Sequence, residues 1–359
     1  MSDTIESGKT RSGIRAVFAP DFRELGPYQQ LQAEALRAQN VSVDYLQGYR
    51  RGMPLFRGLR GMRADLLHMH YPVHYFMRGA RWDALRKLRF PADLLLAAGR
   101  MPLVYTVHDL YPLDSPPDFL VRMDTRFLLD RASALIAHSD AARERIAEVS
   151  PGSRAKCTVI PHGDLSVYYG APLPRAGARA KLGLGEEGRV CFMFGIITPN
   201  KGAEEVIDFW KRARPDATLV IAGKPKLQSY ARDLETRAAG APNILLRFTF
   251  QTDEEVRLWM SAADCVLINY KQIFTSGVAS LARSYGVPVL LPARHATVDL
   301  QEPGPSVFRF DRIESDFAQM LEKALACKAT YADAEKWRKS IAWEAIAIQT
   351  RRVYEEVVG

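Results

Sequence analysis

Short apolar runs recur along the chain, each closing on a polar or glycine position, and stretches of helical periodicity separate them. In the first half the runs are 14–20 (IRAVFAP), 41–46, 64–70 (ADLLHMH), 103–109 (LVYTVHD) and 134–139 (ALIAHS), with a helix expected over 27–39. In the second half, 190–195 leads through a glycine-bearing turn into a helix over 203–213, and further strands are expected over 217–223, 243–250 and 265–270. The stretch 269–292 (NYKQIFTSGVASLARSYGVPVLLP) then reads as loop, helix, turn and strand, broken at Gly286. Strands that alternate with helices predict a parallel, doubly wound α/β sheet. A segment rich in Ala, Gly, Pro and charge, 171–188, falls between the two series and reads as a linker. The expected organisation is a polar tail without order (1–13), an N-terminal Rossmann-like domain (14–170), the linker, a C-terminal Rossmann-like domain (189–340) and a terminal helix (341–359) able to pack back on the first domain. Trp337 and Trp343 are the expected packing residues of that tail, and the two domains would face each other across a cleft.

A length of 359 residues fits two domains better than one. With 47% hydrophobic and 25% charged residues the composition is that of an ordinary folded protein. The four cysteines (Cys157, Cys191, Cys265, Cys327) show no paired spacing of the zinc or redox kind and read as reduced thiols. No signal peptide and no apolar stretch near 18 residues is visible, so the expected location is the cytoplasm. The net charge of +8 changes this picture because it is uneven: between Tyr45 and Tyr105 eleven basic residues meet three acids. Interleaved with Leu55, Phe56, Leu59, Tyr75, Leu85, Leu88 and Phe90, they predict basic amphipathic segments suited to an anionic membrane surface. The expected state is therefore peripheral, on the inner face of the cell membrane. Nucleic acid is not an expected partner, since no recognised binding motif accompanies the basic stretch.

Candidate chemistry gathers where strands end, because ligands of doubly wound sheets sit beyond the C-terminal ends of the strands. In the first half His70, His108, Asp109 and Ser139 occupy such ends, and each is open to a capping role or a functional one. In the second half three loops would converge: Gly195 to Gly202, Gly223-Lys224, and Tyr270 to Gly277. Glycine turns and a helix start offer unpartnered backbone N–H groups, Thr275 and Ser276 offer hydroxyls, Gly277 permits close approach, and Lys201 and Lys224 bring positive charge. That combination suits the diphosphate of a sugar nucleotide. Lysine would neutralise the diphosphate as it leaves, with no metal and no cofactor required.

The motifs V-I-P-H-G (159–163), F-G-x-I-x-P-x-K-G (194–202), I-A-G-K-P (221–225), A-D-C-V-L (263–267) and Y-G-V-P-V (285–289), in that order, resemble the bacterial group 1 glycosyltransferases of GT-B architecture. The resemblance runs over most of the chain from about residue 14. P-Y-Q (27–29), H-M-H-Y-P (68–72), Y-T-V-H-D-L-Y-P (105–112) and Y-K-Q-I-F-T-S-G (270–277) are similar to exopolysaccharide transferases that include GumI-like mannosyltransferases. The resemblance implies two Rossmann-like domains about a cleft, a nucleotide-sugar donor such as GDP-mannose or a UDP-sugar, and a lipid-linked saccharide acceptor at the N-terminal domain, near Tyr28, Gln29 and His70. This chain also departs from the family. Two glutamates usual in retaining members would fall at Ile273 and Leu281, and the usual first-loop arginine is replaced by Ile196. Those losses favour an inverting transfer, which needs a general base. Asp109 and His108 are the candidates, with Asp114 and Asp21 as rivals. An epimerase of the same fold and a non-catalytic sugar-nucleotide-binding protein remain alternatives.

Overall fold

The computed structural model describes residues 13–47, 52–72, 75, 83–113, 116–293 and 305–359. The first half forms a six-stranded parallel sheet of β1 (Ile14–Ala19), β2 (Val41–Tyr45), β3 (Leu66–Met69), β4 (Leu103–Thr106), β5 (Ala134–Ala137) and β6 (Cys157–Val159), in the order β2-β1-β3-β4-β5-β6. Strands β3, β4 and β5 are buried at every position, which is why they read as unbroken apolar runs rather than alternating ones. The second half forms another six-stranded parallel sheet of β7 (Val190–Phe194), β8 (Thr218–Ala222), β9 (Ile244–Arg247), β10 (Cys265–Leu267), β11 (Val289–Pro292) and β12 (Val307–Phe310), in the order β12-β11-β10-β7-β8-β9. The strand order reverses beside β7. A crevice opens at such a switch point, between the loops after β7 and β10.

The expected linker is part of the second domain's body. Within 171–188, helix Arg175–Leu182 packs Ala178 against Leu258 and Ala262 of helix Asp253–Ala262. Arg179 is fully buried, with Nη2 donating to Asp264 Oδ2 at 2.6 Å and to the Ala262 carbonyl at 3.1 Å. Small residues that looked like spacer composition are there to let two helices approach.

The terminal helix, Trp343–Val358, returns to the N-terminal domain and lies on helix Tyr28–Ala38. The Tyr354 hydroxyl meets His68 Nδ1 at 2.6 Å, and Arg351 Nη1 donates to the Gln39 carbonyl at 2.6 Å. Trp343 is buried and donates from Nε1 to the Asp164 carbonyl at 2.8 Å. Its ring lies against Gly163, where φ is +93° and a Cβ would meet the indole at 2.5 Å, so this position admits only glycine. Trp337 is half-buried, with the Arg283 guanidinium 3.9 Å over its ring.

The basic stretch divides in two. Leu55, Leu59, Tyr75 and Phe90 are core residues of the N-terminal domain. On helix Asp83–Ala98, by contrast, Leu85 and Leu88 are each 61% exposed and Leu95 and Leu96 each 45%. Beside it, helix Phe119–Arg131 exposes Phe119 (77%) and Met123. Arg50, Arg51, Arg78 and Arg81 lie outside the described residues. No described helix is long and apolar enough to cross a membrane.

Candidate active site

The three loops of the second domain do converge, and buried polar side chains staple them. Asn200 Nδ2 donates to the Gln272 carbonyl at 2.9 Å and its Oδ1 accepts from Gln272 N at 2.9 Å, joining the first loop to the third. Asn269 adds a bond from Nδ2 to the Gly202 carbonyl at 2.9 Å. The middle loop joins through backbone bonds, Ile197 N to the Lys224 carbonyl and Lys226 N to the Ile197 carbonyl, both at 3.0 Å. Gly223 has φ +145°, and a Cβ there would collide with the Gly195 carbonyl, so the tight crossing of these loops requires glycine. Lys201 Nζ lies 3.9 Å over the Tyr270 ring, donates to the Tyr270 hydroxyl and reaches the Phe194 carbonyl at 3.1 Å. A cavity of about 660 Å³ opens from these loops toward the first domain, bounded by Lys201, Tyr270 and Asn200 on one side and Tyr71, His70 and Asp109 on the other. Lys226 lines it, whereas Lys224 is exposed outside its lining. At the start of helix Gly277–Ser284, Ser276 Oγ accepts from Ala279 N at 3.2 Å as an N-cap. Thr275 Oγ1 donates to the His108 carbonyl at 2.9 Å, bridging the two domains.

Across the cleft, the C-terminal edge of the first sheet carries a row of histidines, because β3, β4, β5 and β6 each run into one: His70, His108, His138 and His162. His138 Nδ1 donates to the Ile160 carbonyl at 2.9 Å, which leaves its Nε2 as an acceptor 3.3 Å from His108 Nδ1. His108 Nε2 in turn lies 3.3 Å from His70 Nδ1. Burial holds the whole row neutral, lowering His138 to about 4 and His162 to about 3, and carrying His70 and His108 well below the usual imidazole value. Both ring nitrogens of His108 thus face other imidazoles, and its face stacks on Tyr71 at 4.5 Å and 13°. Tyr28 packs its ring 4.8 Å from both His108 and His162. The Gln29 amide serves the adjoining loop, donating to the Pro20 carbonyl at 2.9 Å and accepting from Phe22 N at 2.8 Å. Ser139 caps the helix that follows it, accepting from Ala142 N at 3.1 Å.

Asp109 stands apart from these engaged groups. Its Oδ1 is buried without a hydrogen-bond partner, and burial pushes its carboxyl up to about 8. It borders the 660 Å³ cavity, a second of about 400 Å³ that also touches Tyr28, His162 and Leu281, and a third beside Ile273. Of its rivals, Asp21 is paired with Arg23 at 2.8 Å, which lowers its carboxyl, and Asp114 lies outside the described residues.

Residues 16–164 match the family model described as Glycosyltransferase Family 4. A GDP-mannose:glycolipid 4-beta-D-mannosyltransferase of Xanthomonas campestris is 27% identical over 257 residues, covering 69% of this chain and 68% of the relative. A D-inositol 3-phosphate glycosyltransferase of Thermobispora bispora is 24% identical over 368 residues, covering 93% of this chain and 79% of the relative. Anabaena HepE, solved in complex with UDP-glucose, superposes with a TM-score of 0.70 at 18% identity, over 96% of this chain and all of that one. Sucrose-phosphate synthase from Thermosynechococcus elongatus superposes with a TM-score of 0.71 at 16% identity, over 96% of this chain and 98% of that one. The chain is a glycosyltransferase with the GT-B fold.

In this glycosyltransferase the two positions where the family's glutamates would fall are apolar in kind and differ in setting. Leu281 is buried and lines the 400 Å³ cavity, and Ile273 lines the neighbouring one. Sequence reasoning had missed Asn200, Asn269 and Tyr71, which position the loops and the cleft wall, and also His138 and His162. The histidines carried a legible signal, since each closes an apolar run as His108 does; the asparagines carried none. Among the described residues, His108, His138 and His162 bring three potential metal-ligating nitrogens within 4.8 Å of one another.

Proposed function

We propose that this glycosyltransferase moves a hexose from a nucleotide diphosphate sugar, GDP-mannose being the first candidate, to a lipid-linked saccharide in cell-envelope or exopolysaccharide synthesis, with inversion at the anomeric carbon. One observation carries the reading: Asp109 borders the cavity that holds Lys201 and also the 400 Å³ cavity between Tyr28 and His162 of the first domain and the start of helix Gly277–Ser284. In this reading the diphosphate lies on the loops around Lys201, and the acceptor hydroxyl approaches from the first domain. Asp109 takes the hydroxyl's proton as it attacks, and the lysine neutralises the departing diphosphate in place of a metal. A carboxyl raised to about 8 is a stronger base than an exposed one in the fraction that is ionised. His108, engaged at both ring nitrogens, supports the wall beside Asp109 through its stack on Tyr71.

The Xanthomonas relative's name supports the donor and the glycolipid acceptor, and its β-linkage is what inversion at an α-configured donor yields. The apolar stripe of Leu85, Leu88, Leu95 and Leu96, next to Phe119, suits a peripheral hold on the membrane that contains such an acceptor. An epimerase of this fold gives that stripe no purpose.

The test pairs binding with turnover. In Asp109→Asn, a melting-temperature rise with GDP should persist, while mannosyl transfer to a polyprenyl-linked saccharide falls about 10²–10⁴-fold. Lys201→Ala should lose the GDP shift. Undiminished transfer by Asp109→Asn removes Asp109 from the base role, and a wild-type protein that responds to no nucleoside diphosphate overturns the donor reading.

A further inference from the structure

We propose that His108, His138 and His162 bind one divalent transition-metal ion of the zinc class at the C-terminal edge of the N-terminal sheet. The three follow β4, β5 and β6, which are sheet neighbours, so the strand spacing of about 4.8 Å already delivers them side by side. One potential ligand nitrogen from each lies within 4.8 Å of the other two. His108 Nδ1 and His138 Nε2 stand 3.3 Å apart. Two ligands at ~2.0–2.1 Å from a tetrahedral ion are separated by about that much. His162 closes the set by rotating its ring, and it has reason to: Nδ1 is buried with no partner.

The surroundings resemble those that metal-binding imidazoles use. The ring nitrogen of His138 turned away from the set donates to the Ile160 carbonyl at 2.9 Å, which fixes Nε2 as the lone pair offered to the ion. The far nitrogen of His108 faces His70 Nδ1 at 3.3 Å; once Nδ1 is a ligand it carries the proton and donates to His70, whose own proton moves to its Nε2, so binding shifts one proton within each ring and releases none. His108 and His162 also line the 400 Å³ cavity, which provides an entry path and an open fourth position for water. Imidazole-only ligation selects zinc-class ions over magnesium or calcium. Without an ion, the His108–His138 contact is an ordinary hydrogen bond and His162 Nδ1 stays unmatched. The ion would tie three strand ends on the wall that carries Asp109. It lies on the first domain's wall, across from the loop Tyr270 to Gly277, and its existence does not depend on the donor proposed above.

The experiment titrates chelator-treated full-length protein with cobalt(II). The expected result is the visible absorption of a tetrahedral site, saturating at one equivalent and bleached by zinc(II), with a rise in melting temperature. His138→Gln and His162→Gln, shown to be folded by circular dichroism, should lose the band and bind at least ~100-fold more weakly. A wild-type protein with no such band overturns the proposal, as does an identical band in both variants, which marks adventitious surface binding. If the variants do not fold, X-ray absorption on the wild-type zinc form decides: scattering from three imidazoles supports the site, and an oxygen shell without imidazole rejects it.

Discussion

Asp109 and Asp124 are two carboxyls of the N-terminal domain in low-dielectric surroundings, and the first faces a cavity. Asp124, inside helix Phe119–Arg131, is fully buried with neither oxygen hydrogen-bonded, and burial raises its carboxyl to about 7. Its folded value is raised above the unfolded one, about 3.9. Below pH 4 both states hold the proton; between pH 4 and 7 the unfolded state ionises first, so Asp124 works against folding increasingly as pH rises through that window. Asp124→Asn should therefore melt higher than wild type at pH 7.5, by on the order of 3 °C as for ~1 kcal/mol in a domain of this size. Thermal melts should show that gap closing at pH 4. The two aspartates also show what a sequence reveals at this scale. Asp109 ends an apolar strand and announces itself; Asp124 sits among charged residues in a helical pattern, and only packing shows that it is buried. Gln29 adds something that P-Y-Q could not show: it lines the 400 Å³ cavity while its amide holds the backbone of Pro20 and Phe22.

At the scale of elements, helix Asp83–Ala98 carries two apolar faces. Phe90, Leu94 and Ala97 pack into the domain, while Leu85, Leu88, Leu95 and Leu96 form a stripe in water at helical spacing. An exposed stripe of this kind marks an interaction surface. Leu88→Glu with Phe119→Glu removes apolar area from it without touching the cleft. Co-sedimentation with vesicles of anionic lipid should fall several-fold in the double variant, with the GDP-induced shift unchanged; equal sedimentation would detach this face from membrane binding. The three convergent loops were legible as elements because glycine and proline punctuate them, and helix Ala203–Ala213 falls where periodicity put it. Helix Arg175–Leu182 was not, because its alanines and glycines signal flexibility in isolation. They become close-packing residues only when Leu258 and Ala262 are opposite.

For the whole molecule, the terminal helix is the element that makes two domains one unit, since it follows the second domain and rests on the first. Tyr354→Phe leaves His68 Nδ1 buried without its partner and should cost ~1–3 kcal/mol. The readout is a lower denaturant midpoint with unchanged secondary structure by circular dichroism. The same closure brings the Thr275 hydroxyl onto the His108 carbonyl, so the loop Tyr270 to Gly277 and the wall beside Asp109 meet directly. By itself the sequence determined two parallel α/β domains, the loops that end their strands and the polar residues carried there, because hydrophobic period and turn chemistry are local properties. Tertiary structure alone decided how those residues are engaged: His108 stands between two imidazoles at the edge of a cavity, Asp21 is held by Arg23, Ser276 caps a helix, and Asp109 opens onto the cleft. Burial, charge pairing and adjacency across a sheet edge depend on what lies opposite in space, and neighbours along the chain do not specify that.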